Sequence, residues 1–197
     1  MHFLIVDFEF TMHKRYGRPR VWFPEIIEVG AVVADGHGVL QDKVYNAFVK
    51  PQFWPRISED CTGITGIHQR DIEQGISFEQ MLESLWQMSP TQDTWLVGWG
   101  NQDRLVLKNG CDKYGCDKYG FEYPFLYENY IDLATEYMFF NKRNRMISLK
   151  DAIEETGVEK RGILHAAYDD AVNAALVMQN VISKGWTNDR NQLSVAM

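Results

Sequence analysis

Asp7 and Glu9 in IVDFEFT, Asp103 in GWGNQD, and His165 and Asp170 in HAAYDDA place four acids and one histidine at three separated points of the chain. Carboxylates gathered in one place suit hard divalent cations such as Mg²⁺ and Mn²⁺, which prefer oxygen ligands. A histidine beside them, with an ordinary pKa of about 6.5, can take a proton from water near neutrality. Read jointly, the pattern supplies ligands for one metal from Asp7, Glu9 and Asp170, a bridging role for Asp7, an outer ligand in Asp103 and a general base in His165. Two such metals, about 4 Å apart, can activate an attacking water and stabilise a leaving oxygen, which is the chemistry of phosphodiester hydrolysis.

Each piece has a plainer reading when taken alone. A D-x-E pair often lies at the exposed end of a strand. Asp103 suits the first turn of a helix, where the dipole favours acids. His165 can be a hydrogen-bonded structural residue. Asp169 competes with Asp170 and is read here as charge at a helix N-terminus. His165 and Asp170, five apart, would not share a face of one continuous helix; they converge if His165 precedes the helix and Asp170 sits in its first turns.

The elements that must position these residues follow from hydrophobic spacing. FLIVDFEF (3–10) is an apolar run rich in strand formers and reads as a buried strand, on which Asp7 and Glu9 point to one face. EIIEVGAVVAD (25–35) reads as a second strand, the GHG turn follows, and VLQDKVYNAFVKP (39–51) pairs onward, an antiparallel opening. TGITGIHQRDI (62–72) is a glycine-broken loop or short helix, and SFEQMLESLWQM (77–88) has helical apolar spacing. TWLVGWG (94–100) is a strand that leads straight into a helix at 101–110, so Asp103 falls where open α/β sheets gather ligands. The spacing predicts helices at 130–140, at 148–157 with Ser148 as N-cap, and at 167–183. The expectation is an α/β fold, a mixed central sheet flanked by helices, in a single domain over 1–197 with its core at about 3–183.

Composition bounds the function. The chain has 197 residues, 45% hydrophobic and 13% aromatic, enough for one real core and against disorder. Its formal charge of −7 counts against a protein coated in basic residues that binds nucleic acid broadly, although clustered carboxylates at a metal site would account for part of it. Basic residues are concentrated in HKRYGRPR (13–20), with Lys14, Arg15, Arg18 and Arg20, and in NKRNRMISLK (141–150), with Lys142, Arg143, Arg145 and Lys150. Either could touch a phosphate backbone or be a solvated loop. Cys61, Cys111 and Cys116 form no disulfide framework, and neither a signal peptide nor a membrane-length apolar run is read, so a cytoplasmic location is expected. CDKYG (111–115) is repeated at once as CDKYG (116–120), read as a tandem duplication in a loop after the helix.

At the acidic motifs the sequence resembles the DnaQ-type 3′→5′ exonucleases of the DEDDh subclass, over residues 3 to about 183. DFEFT, PEIIEVGAVV, TGITGI and GWGNQD are most similar to the histone-mRNA and small-RNA 3′-end exoribonuclease branch, and similar also to bacterial KapD-like proteins associated with inhibiting a sporulation kinase pathway. The resemblance implies an RNase H-like fold. It implies that Asp7, Glu9 and Asp170 hold the catalytic metal, that Asp7 also contacts a second, that Asp103 supports it through water and that His165 deprotonates the nucleophile. Phe10, Thr11 and Met12 would line the pocket for the terminal nucleotide, with Thr11 near its 3′-hydroxyl. Ile64, Thr65, Gly66 and Ile67 would pack near the terminal base, and Trp99 would help wall the pocket unless it is a core aromatic. The implied substrate is single-stranded nucleic acid with a free 3′ end, RNA before DNA. The implied products are nucleoside 5′-monophosphates, with selection beyond the last few nucleotides left to a partner protein. A regulatory binding protein with little catalysis, and a DNA-directed exonuclease, are the alternatives.

Overall fold

The structure is a computed structural model that describes residues 1–13, 19–89, 91, 93–116 and 128–188. Its centre is a five-stranded sheet in the order β3-β2-β1-β4-β5. The strands are β1 His2–Phe10, β2 Ile26–Asp35, β3 Leu40–Phe48, β4 Thr94–Gly98 and β5 Tyr130–Asp132. β1 pairs antiparallel with β2, and β2 with β3; β1 pairs parallel with β4, and β4 with β5. The antiparallel opening is therefore as the sequence predicts.

Seven helices are seen among the described residues: α1 Glu59–Thr65, α2 Gln69–Glu73, α3 Phe78–Met88, α4 Gln102–Tyr114, α5 Leu133–Phe140, α6 Leu149–Thr156 and α7 Ala167–Ser183. Among the described residues, no helix is long and apolar enough to cross a membrane. Local chemistry sets several boundaries. Ser58, Ser77 and Ser148 each cap a helix, their side chains accepting from the backbone N–H three residues on.

Alternation along β1 divides the core between the two faces of the sheet. Leu4, Val6 and Phe8 pack with Phe78, Met81, Leu82 and Leu85 of α3 and with Val106 and Leu107 of α4. Phe3 and Ile5 pack on the other face with Ala174, Val177, Met178 and Val181 of α7. Asp7 and Glu9 continue this second row, so the pleat alone directs both carboxylates toward the face that α7 covers.

Two expectations are corrected. Residues 130–132 are not helical: Tyr130 and Ile131 pair with Leu96 and Val97 as β5, and Asp132 caps the helix that follows. The first CDKYG copy is not a loop. It continues α4, because Cys111 repeats the buried spacing of Val106, Leu107 and Gly110, and Gly115 ends the helix. Of the second copy, 117–120 lie outside the described residues, as do Lys14, Arg15 and Arg18.

Candidate active site

The site forms where β1 outruns β4. Pairing between the two strands ends at Ile5–Val97, while β1 continues to Phe10. On that side the Phe8 N–H has lost its strand partner and donates instead to Asp103 Oδ1 at 3.1 Å. Asp103 stands in the first turn of α4, directly after β4, and is buried. This is the cleft at the carboxyl ends of parallel strands where open sheets hold ligands.

The N-terminus of α7 closes the cleft. Its N-cap position is Ala166, which has no side chain to cap with. Buried Glu28, on β2, fills the role from across the sheet, accepting from Ala167 N–H at 3.3 Å. The preceding loop is folded back on the helix. Asp169 Oδ2 accepts from Ile163 N–H at 2.8 Å, and Asn173 bonds both the N–H and the C=O of Arg161. Asp169 is thus the brace of this loop rather than free helix-terminal charge. At its end His165 takes φ 66, a left-handed backbone that histidine rarely adopts, and its N–H donates to Asp170 Oδ2 at 2.8 Å. The turn lifts the imidazole out of the helix, so a residue five positions from Asp170 arrives on the same side of the cleft.

Ligand atoms of Glu9, His165 and Asp170 lie within 4.8 Å of one another. Asp170 Oδ1 is buried and has no hydrogen-bond partner among the described residues. An anionic oxygen left bare in this way is expensive, and a cation beside it removes the cost. The carboxylate oxygens of Glu9 and Asp170 suit a hard divalent metal, with the imidazole of His165 beside them. Asp7 lies outside this tightest group but shares its field. Burial raises its carboxyl well above the usual range, and Asp103, Asp170, Glu9 and Glu28 add to the effect in that order. Burial likewise pushes Glu9 up to about 8, with Glu28 the largest neighbouring charge, and Asp103 up to about 7. Asp170 is raised by burial and partly relieved by the His165 N–H and imidazole.

Glu28 is the residue that motif reading missed. It is the cross-strand partner of Glu9, and like charges directly opposed on a sheet repel. The only signal was its place in PEIIEVG; the register that sets it against Glu9 is not written in either strand.

The pocket residues expected from the resemblance are dispersed in role. Thr11 is buried, and its Oγ1 accepts from Glu25 N–H at 2.9 Å. Phe10 packs against the α3–α4 core, and Met12 against a small cluster that contains Ile67. Thr65 is turned inward on Cys61 and Ile67, Gly66 ends α1 with φ 73, and Ile64 is exposed. Trp99 is half-buried against the α7-side core, donates to Ile147 C=O at 3.2 Å and packs against Tyr137. Of the basic residues at 141–150, Arg143 is taken by Glu155 at 2.6 Å.

The raised carboxyls make a pH prediction. The folded protein without metal binds protons more tightly than the unfolded chain, so stability falls as pH rises through the window from the ordinary carboxylate value, near 4.5 for Glu9, to about 8. In EDTA, thermal unfolding is expected at a lower temperature at pH 8 than at pH 5. Mg²⁺ should raise Tm more at pH 8. An equal Mg²⁺ shift at both pH values would mean that these carboxylates do not share a metal.

The exonuclease family model (RNase_T) matches residues 4–178. The "Probable 3'-5' exonuclease KapD" of Bacillus subtilis is 33% identical over 171 residues, which cover 87% of this chain and 80% of that protein. "ERI1 exoribonuclease 2" of Mus musculus is 29% identical, covering 93% of this chain but 29% of its own length. Among solved structures, the nuclease domain of 3'hExo, a DEDDh family member bound to rAMP, superposes with a TM-score of 0.80 at 24% identity, covering 93% of this chain and 92% of that one. The fold is therefore RNase H-like.

Proposed function

Because the chain belongs to the exonuclease family, we propose that it shortens single-stranded RNA from the 3′ end, releasing nucleoside 5′-monophosphates. The observation that carries the proposal is the bare, buried Asp170 Oδ1 beside Glu9 and His165 in a cleft ringed by further carboxylates. Two divalent cations, Mg²⁺ or Mn²⁺, held by Asp7, Glu9 and Asp170 with Asp103 outside, would lower the pKa of the attacking water and offset charge on the leaving 3′-oxygen. His165 takes the proton from that water; it is exposed, so it can pass the proton on to solvent. Asp170 holds the backbone N–H of His165 and so keeps the base aimed at the cleft. Phe10, Thr11 and Met12, on the chain just beyond the acidic pair, would receive the terminal nucleotide.

RNA is favoured over DNA by the names of the ERI1-type relatives and by the rAMP seen in the 3'hExo domain. A purely regulatory role gains nothing from the B. subtilis relative, which is itself named a probable exonuclease. The test is degradation of 5′-labelled single-stranded RNA and its DNA counterpart in Mg²⁺, Mn²⁺ or EDTA. A metal-dependent ladder that shortens from the 3′ end supports the proposal, and the faster substrate decides between RNA and DNA. No cleavage of either would sink it. His165→Ala is expected to slow the reaction about 10²- to 10⁴-fold, the range of a lost general base, while the Mg²⁺-induced rise in Tm persists. A variant at the parental rate would remove His165 from proton transfer.

A further inference from the structure

Two adjoining cavities are lined by residues that follow β1 and β3 in the chain. The first, ≈ 400 Å³, is walled by Thr11, Met12, Trp22, Trp54 and Arg56. The second, ≈ 630 Å³, is lined by Lys50, Arg56, Gln69, Ile72 and Glu73. Pro55, Arg56 and Ile57 line both, so the two cavities adjoin there and together form a trough from Thr11 and Met12, which follow β1 in the chain, to Lys50 and Glu73.

The wall of this trough is fixed in advance. The buried Glu25 carboxylate accepts from the N–H groups of Gln52 at 2.8 Å, Phe53 at 3.1 Å and Trp54 at 2.5 Å, and from the Tyr114 hydroxyl. The backbone of Glu25 is in turn tied to Thr11, whose N–H donates to Glu25 C=O at 2.8 Å. One buried acid therefore locks loop 52–54 onto the strand that carries Asp7 and Glu9. Pro51 and Pro55 stiffen the segment further. A wall ordered beforehand costs little to order on binding.

The wall also carries binding groups that the fold does not use. Arg56 and Lys50 are exposed and have no charged partner among the described residues. Trp54 is half-buried, and its Nε1 donates to nothing among the described residues, so no hydrogen bond holds the ring against tilting. Glu73, the one acid among the described lining residues, accepts from Gln69 Nε2 at 3.3 Å. In a chain of net charge −7 a polyanion is repelled in general, so unpaired cations gathered along one trough offer it a local attraction. An aromatic ring followed by spaced cations is what a flexible strand requires, bases stacking on the ring and phosphates meeting the cations.

We propose that this trough is the track for the nucleotides upstream of the scissile bond, with a base against Trp54 and backbone phosphates on Arg56 and Lys50. The inference rests on the exonuclease reading of the carboxylate site. The occupant is a single strand, because within a duplex each base is stacked between its neighbours and has no free face to offer Trp54.

The test compares a dinucleotide with a strand of about 12 nucleotides, as substrates and, for the labelled longer strand, by fluorescence anisotropy in EDTA. Arg56→Ala, at an exposed position, is expected to raise KM for the longer strand about tenfold, more than it lowers kcat, so that the preference for length falls by that factor. The salt dependence of binding should weaken by about one counterion. Trp54→Ala should act in the same direction, and Trp54→Phe should retain most of the preference. Lys108→Ala, in an ion pair with Asp112 on the surface of α4, is the control and leaves both substrates unchanged. Unchanged length preference in Arg56→Ala and Trp54→Ala would overturn the track, as would equal losses on both substrates. If the parental protein cuts neither substrate, the exonuclease reading fails by itself. Anisotropy then still decides the track: about tenfold weaker binding by Arg56→Ala sustains it, and equal binding overturns it.

Discussion

Asp7→Asn is expected to reduce cleavage by at least about a thousandfold, the several kcal/mol that a shared metal ligand contributes to the transition state, with the protein still folded. The substitution keeps the shape of the side chain and removes its charge. Asp7 lies on the α7 face of β1 within the field of Asp103, Asp170, Glu9 and Glu28, which together with burial hold its carboxyl well above the usual range. Without metal, ionised Asp7 is therefore a burden on the fold, and the amide relieves it. Two readouts of opposite sign follow. In EDTA at pH 8 the variant should unfold at the parental temperature or above it, while the rise in Tm on adding Mg²⁺ should shrink. Cleavage at the parental rate would show that Asp7 does not hold the metal. A lower Tm in EDTA would assign Asp7 a structural role instead.

Gly30→Ala is expected to damage the same site without touching a carboxylate. Gly30 is the cross-strand neighbour of Asp7, and the backbone of Ala167 and Tyr168 rests directly on it. A Cβ there would overlap main-chain atoms of the first turn of α7, which no rotamer change can relieve. Either α7 withdraws or β2 bends, at a cost of about 3 kcal/mol, the upper end for overpacking. For a chain of this size Tm should fall by roughly 6–12 °C. Because the first turn of α7 carries Asp170 and is capped by Glu28, its displacement also separates Asp170 from Glu9, and activity should fall with the Mg²⁺-dependent part of the stability. A stable, fully active Gly30→Ala would mean that the α7 contact can relax freely and does not position Asp170.

Much of this was legible in the amino-acid sequence because the underlying rules are local. The period of two in FLIVDFEF is enough to put Asp7 and Glu9 on one face, and β1 forms where that run lies. Apolar spacing found α3 and α7, and Ser148 marked the start of α6; the Ser77 cap of α3 was seen only in the structure. Local rules failed where a short segment's partner was distant. Tyr130–Asp132 has helical neighbours and becomes a strand only because β4 offers it an open edge. The first CDKYG copy reads as a loop alone and is helical because Cys111 finds the core.

What tertiary structure alone decided is the closure of the site. Glu28 faces Glu9 through a strand register, caps a helix more than a hundred residues away, and belongs to no acidic motif. His165 reaches Glu9 and Asp170 because Asp169, Asn173 and a left-handed turn bend its loop back, against the spacing a continuous helix would impose. Glu25 ties the trough wall to β1 through three consecutive N–H groups of loop 52–54. Composition and spacing determine which residues can do chemistry and which face of their own element they occupy. Bringing carboxylates together from different elements costs desolvation and repulsion, and only the packed sheet and helices, with contacts between residues far apart in the chain, can hold them there.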